Sequence, residues 1–329
     1  MTVMNGDYHP LQKRIDYKDS LLGLLTQVIN NYNLGVYLKH QVVDIGYEDF
    51  NLILETNQGK YFIKFLSSDR SDKECQRYVN IMLAALNQGV NHPKLFTSST
   101  NHYLGRIKLD KTLVRFIVME YVEGDTFFDL KQKPNDLERK QIIEQTMLIN
   151  NINLNPDFIY DEWAIVNFLS EYKKTKKYLN KDDKSMIDLV AKSFSSVNLS
   201  SLPHCFVHGD IIDTNVLRAN NGKIYILDFS VANVYPRIQE LAVLLCDIFF
   251  NSNQNTFKRI YDDVLNLYQT KIKLEELEIK TLPIFIQIAH AMHIIGATRT
   301  SIEGGNSTEN DYWLKLGRKG LSLTLNWWS

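Results

Sequence analysis

The stretch "CFVHGDIIDTNVLRANNGKIYILDFSVAN", residues 205–233, contains the most strand-like segments of the chain and ends them in carboxylates. Asp210 and Asp228 each close a short apolar run, and Asn221-Gly222 between them is a two-residue hairpin signal. Between the strands sits His208-Gly209-Asp210-Ile211-Ile212-Asp213-Thr214-Asn215. Any one of these polar residues alone reads as a strand terminator or as turn chemistry. The ordered set is more demanding: His-Gly-Asp, an asparagine five positions on, a hairpin turn, and Asp-Phe eighteen positions after Asp210.

That order matches the chemistry of phosphoryl transfer. Asp210 and Asn215 stand at the offset of the catalytic-loop aspartate and asparagine of protein kinases, and Asp228-Phe229-Ser230 stands where Asp-Phe-Gly would be. In such sites the first aspartate accepts or orients the hydroxyl proton, and the asparagine and second aspartate hold Mg²⁺ against the nucleotide phosphates. Oxygen ligands on short loops suit Mg²⁺, a hard cation that also keeps phosphate and water ligands.

Outward from this stretch the chain divides in character. Upstream, "YKDSLLGLLTQVINNYNLG" (17–35) has helical spacing and ends at Gly35 as a C-cap. Three β-prone runs follow at 38–45, 50–56 and 60–66. A helix over 71–89 opens with Ser71-x-x-Glu74, and two more apolar runs lead to Glu123-Gly124. Residues 1–122 therefore predict an antiparallel sheet with an inserted helix, and 123–329 a helical lobe with one embedded hairpin. Helices are expected at 236–250, 255–272, 275–299 and 311–326. The fold class is α+β.

Length and composition agree with this. A chain of 329 residues exceeds what one core usually serves, and 44% hydrophobic with 23% charged residues is ordinary for a globular protein. A net charge of −1 with scattered basic residues gives no footprint for nucleic acid. Cys75, Cys205 and Cys246 lack CxxC spacing and read as reduced thiols of a cytoplasmic protein. The N-terminus has no signal pattern, and no unbroken apolar run reaches 18 residues, so a membrane span is not expected.

"HGDIIDTNVL…ILDFSVA" resembles the catalytic and metal-binding motifs of the aminoglycoside phosphotransferase and choline kinase superfamily, whose members have a two-lobe protein-kinase-like fold and phosphorylate small molecules. "VVDIGYEDFNLILETNQGKYFIKFL" is similar to the opening of homoserine-kinase-like members, and "FIVMEYVEG" to the family hinge. The resemblance implies Asp210 as the catalytic base, Asn215 and Asp228 as Mg²⁺ ligands, and Lys64 on the α- and β-phosphates of ATP or GTP. It also implies Gly46 in the nucleotide loop and the backbone of Glu120, Tyr121 and Val122 at the base. Glu74 would pair with Lys64, or would only cap its helix with Ser71. His208 would support the loop through hydrogen bonds.

The departures narrow the acceptor. After Asp228 the chain enters "PRIQELAVLL" within a few residues, too soon for the peptide platform of a protein kinase, so a small hydroxyl acceptor is expected. It would be an antibiotic, an amino alcohol or a hydroxy amino acid. A protein Ser/Thr kinase and a non-catalytic nucleotide-binding module are the alternatives. Arg237 and Glu240 are expected to be structural, by default as an ion pair. Asp213, Glu309 and Tyr312 are the candidate acceptor contacts, with Glu303, His290 and His293 beside them, although the two histidines read more readily as satisfied core or helix-face residues.

Overall fold

The computed structural model describes residues 8–43, 48–109, 112–304 and 308–327. They fall into two compact units, Met1–Asn87 with His92–Glu123, and Gln88–Asn91 with Gly124–Ser329.

The first unit opens with a short 3-10 turn, Pro10–Ile15, and α1, Leu21–Tyr32. Its amphipathic face buries Leu21, Leu24, Leu25, Val28 and Ile29. Asn33 in the left-handed region caps its C-terminus, where the sequence pointed to Gly35. The strands are β1 Tyr37–Val43, β2 Phe50–Thr56, β3 Gly59–Leu66, then, after α2 Asp72–Asn87, β4 Leu104–Lys108 and β5 Leu113–Glu120. They form one antiparallel sheet in the order β1-β2-β3-β5-β4. Strict alternation in β2 sends Phe50, Leu52 and Leu54 into the core with Phe65, Phe116 and Val118.

The second unit begins with β6 Gly124–Thr126, α3 Phe127–Leu130 and α4 Asp136–Asn150. Asn135 and Glu138 form a capping box at the start of α4. The helices α5 Phe168–Thr175 and α6 Lys181–Phe194 follow. The decisive stretch then folds as β7 His204–Val207, β8 Val216–Ala219, β9 Ile224–Ile226 and β10 Asn233–Pro236. The hairpin β8–β9 turns at Asn221-Gly222, where Gly222 takes a φ of 79°. Two pairings go beyond the expected hairpin: β6 adds to β8, and β7 pairs with β10.

Four helices complete the unit: α7 Ile238–Cys246, α8 Gln254–Tyr268, α9 Glu276–Ile302 and α10 Thr308–Trp327. Helix α9 is long and apolar enough to cross a bilayer by composition, yet 78% of its most apolar window is buried inside the unit. It packs against α5, α6, α7 and α10 as the central core helix. Leu282, Phe285, Ile286, Ile288, Ile294 and Ile295 on it are fully buried, each worth about 1.5–3 kcal/mol of apolar transfer.

Candidate active site

The first residues of the loop between β7 and β8 are held by a carboxylate of α7. Glu240 on α7 is fully buried and accepts the backbone N–H of His208 at 2.6 Å and that of Gly209 at 3.1 Å. Burial raises its pKa to about 7 even though these hydrogen bonds pull the other way. The expected ion pair with Arg237 does not form. Arg237 instead meets Glu278 through Nε at 2.7 Å and Nη2 at 2.5 Å, and Nη2 also donates to the Lys273 carbonyl. Both residues are structural, with different partners: the start of α9 supplies the acid that Arg237 needs, which frees Glu240 for the loop.

His208 is also fully buried, against Phe229 with ring centroids 4.3 Å apart. Its Nε2 lies 3.0 Å from the Leu227 carbonyl, which can only accept, and its Nδ1 faces the Asp210 N–H at 3.2 Å, which can only donate. The ring is therefore neutral with its hydrogen on Nε2, in keeping with a pKa lowered by burial to about 4. His208 thus ties the strand before Asp210 to the strand before Asp228.

Asn215 donates from Nδ2 to the Asp210 carbonyl at 3.0 Å and to Asp210 Oδ2 at 2.7 Å. That fixes its amide orientation and turns Oδ1 into the atom available to a cation. Asp228 sits at a φ of 61°, in the left-handed region that non-glycine residues seldom occupy, and its Oδ1 accepts the Ser230 N–H at 3.2 Å. Asp210 is raised to about 8, by burial first and then by the charges of Asp161 and Asp228. Two carboxylates and an amide oxygen in a region short of positive charge are a hard-donor set that fits a magnesium ion.

Asp161 was not foreseen. Its loop is anchored to β10 by buried Asn233, which donates to the Ile159 carbonyl at 3.0 Å and accepts from its N–H at 3.4 Å. Exposed Phe158, Tyr160 and Trp163 flank Asp161. The only sequence signal was the run "IYDEW", in which an acidic residue interrupts aromatics.

Asp213 points away from solvent. Its N–H donates to Asp247 at 2.8 Å, and Tyr312 Oη donates to its Oδ2 at 2.7 Å. The structure so joins two candidate acceptor residues as a buried support, with Asp247 behind them. Burial raises both carboxylates, and the charge of Asp213 raises Asp247 further. The Glu309 side chain and Gly46 lie outside the described residues.

In the first unit Lys64 is buried, and its Nζ lies 3.4 Å from Asp49 Oδ2 and 3.2 Å from Tyr78 Oη. The expected pair with Glu74 is replaced by this one. Glu74 is exposed in the first turn of α2, where its carboxylate accepts the Ser71 N–H at 2.7 Å and its N–H meets Ser71 Oγ at 3.2 Å. A surface carboxylate committed to a cap cannot serve a buried ammonium. Asp49, just before β2, also accepts the Ser67 N–H at 2.9 Å. Glu120 closes β5 with its N–H on the Lys94 carbonyl at 2.8 Å, so that N–H is already engaged within the first unit.

Asp49→Asn is expected to weaken nucleotide binding about tenfold or more, since a buried ammonium that loses its carboxylate costs upwards of about 1.5 kcal/mol. Glu74→Gln should leave binding within a factor of about two, because only the cap is disturbed. Nucleotide titrations of both variants check this, and a larger loss in Glu74→Gln would return the pair to Glu74.

The sequence profile of the phosphotransferase enzyme family matches residues 39–272. Solved structures share the fold at low identity. An amicoumacin kinase, hAmiN, in complex with AMP-PNP, Ca²⁺ and Ami, aligns at a TM-score of 0.68 and 14% identity, over 96% of this chain and 95% of its own. The choline kinase LicA from Streptococcus pneumoniae aligns at 0.62 and 13%, over 92% and 99%. A microcompartment-associated aminopropanol kinase aligns at 0.64 and 12%, over 93% and 97%. The family match does not distinguish homoserine-kinase-like members from the others.

Proposed function

Because the chain belongs to the phosphotransferase enzyme family, we propose that it transfers the γ-phosphoryl group of ATP or GTP to the hydroxyl of a small molecule bearing an amine. The observation that carries the reading is Asn215, bonded twice to Asp210 so that its Oδ1 and the Asp228 carboxylate are the oxygens for a metal. When bound, Mg²⁺ supplies charge neutralisation at the phosphates. Asp210 Oδ2 is held by Asn215, and its Oδ1 orients the acceptor hydroxyl and takes its proton as that oxygen bonds to phosphorus and the bond to the β-phosphate oxygen breaks. Lys64, buried and oriented by Asp49, meets the α- and β-phosphates.

An amine follows from the charge around Asp210. The acidic neighbours Asp161 and Asp228 both push its pKa up, and the largest influences on it include no basic side chain. An ammonium on the acceptor offsets this, with Asp161 as its partner. The names of the fold's relatives, a choline kinase and an aminopropanol kinase among them, support the same class.

The test is γ-labelled nucleotide turnover with Mg²⁺ across amino alcohols, aminoglycosides, hydroxy amino acids and matched neutral alcohols. Stimulation confined to amine-bearing acceptors is the expected outcome. Asp161→Asn should then raise the acceptor KM about tenfold, roughly 1.4 kcal/mol, with kcat nearly kept. Transfer to neutral alcohols alone, or an unchanged KM, would remove the amine from the reading. Transfer to generic protein hydroxyls would favour a protein kinase.

A further inference from the structure

Cys246 at the end of α7 and His290 and His293 on α9 are all buried, and their ligand-capable atoms lie within 4.8 Å of one another. None of the three belongs to the site derived above. Both ring nitrogens of His290 and Nδ1 of His293 are buried without a hydrogen-bond partner. The expectation of satisfied core histidines therefore fails on its own terms. An imidazole left bare in the interior costs about 1–3 kcal/mol per unmade hydrogen bond, so three bare nitrogens are a large debt for packing alone.

The chain also makes room for this arrangement. A Cβ on Gly320 of α10 would lie 2.1–2.4 Å from Cε1, Nδ1 and Nε2 of His290, and one on Gly317 would lie 2.9 Å from His293 Cβ. Glycine inside a helix costs roughly 1 kcal/mol against alanine. Two such positions on one helix, both facing the histidine pair, hold space for the rings and keep His290 in place. Phe250 and Trp313 close the other sides, with ring centroids 5.0 Å from His290 and 5.1 Å from His293.

We propose that the Cys246 thiolate, one ring nitrogen of His290 and Nδ1 of His293 bind a zinc ion. One thiolate and two imidazoles are a borderline-soft set that suits zinc and not magnesium. Zinc–sulfur and zinc–nitrogen bonds of about 2.3 and 2.0 Å bring ligand atoms to roughly 3.3–3.6 Å from each other. Side-chain rotations closing at most about 1.5 Å reach that spacing from the present limit of 4.8 Å. Binding removes the thiol proton and breaks the weak contact of Cys246 Sγ with the Val243 carbonyl at 3.3 Å. The dication also offsets the acidic charge of the adjoining Asp247 and its partner Asp213. It would staple α7 to α9 one residue before the carboxylate that holds the catalytic loop at Asp213.

The experiment uses the full chain, expressed without a tag in cobalt-supplemented medium and purified with excess magnesium. The expected result is about one cobalt per chain with a near-ultraviolet thiolate-to-cobalt charge-transfer band. Cys75→Ser and Cys205→Ser should keep the band, and Cys246→Ser and His293→Gln should lose it. Cys246→Ser changes a single atom, so it decides the matter even where His293→Gln does not fold. A wild type without the band, or a band that survives in Cys246→Ser, overturns the site.

Discussion

Asp210→Asn is expected to lower kcat by about 10²- to 10⁴-fold, the usual worth of a positioned general base, while the fold stays intact. The carboxylate stands among the like charges of Asp161 and Asp228, so a neutral amide of the same shape relieves repulsion. Its thermal midpoint should equal or exceed that of the wild type. Nucleotide KM should change little, since the asparagine and the second aspartate remain. Wild-type turnover in this variant would exclude Asp210 as the proton acceptor. Loss of folding together with activity would make it a scaffold residue instead. In the wild type the base works ionised, so kcat/KM should rise with pH, and its inflection should move down as divalent cation is added, because a nearby dication favours the carboxylate.

The second large effect is expected at Glu240. Glu240→Ala strips a fully buried acceptor from two loop N–H groups, at 2.6 and 3.1 Å in the wild type. Each orphaned donor costs about 1–3 kcal/mol, so the variant should lose roughly 2–6 kcal/mol and most of its turnover, since Asp210 is the next residue along. The pH dependence separates this role from packing. Folded Glu240 holds its proton up to about pH 7, above the unfolded value of 4.5. Its contribution therefore falls as pH rises from about 4.5 to 7 and stays reduced above that, by about 3 kcal/mol at roughly 1.4 per unit. His208 acts in the opposite sense. Its folded pKa of about 4 lies below the unfolded 6.5, so stability is lost as pH falls through that window. The two slopes oppose each other in the wild type. Urea midpoints of Glu240→Ala between pH 4.5 and 7.5 should therefore rise with pH more steeply than those of the parent. Parallel curves would show that the carboxylate does not titrate as described.

The active-site loop was legible because its chemistry is local: Asp210, Asn215 and Asp228 lie within nineteen positions, around a turn that Asn221-Gly222 encodes. Helices and strands followed from apolar periodicity, with errors at caps such as Asn33 against Gly35. Partner choice was not legible. Lys64 had an acid ten residues ahead in Glu74, which the family resemblance paired with it, and Arg237 had one three residues ahead in Glu240. The folded chain takes Asp49 and Glu278 instead. Burial decides such pairs, and burial depends on the whole unit. Asp161 escaped for the same reason: its loop is held by distant elements, among them β10 through Asn233.

The clamp of Glu240 on the loop carries a consequence for how the enzyme fails. The N–H groups of His208 and Gly209 cannot meet water until α7 leaves the core built around α9. Their hydrogen exchange should accordingly proceed only through global opening of the second unit. Heat or denaturant should then leave no long-lived population that is folded but catalytically slack. Activity and tertiary structure should disappear together.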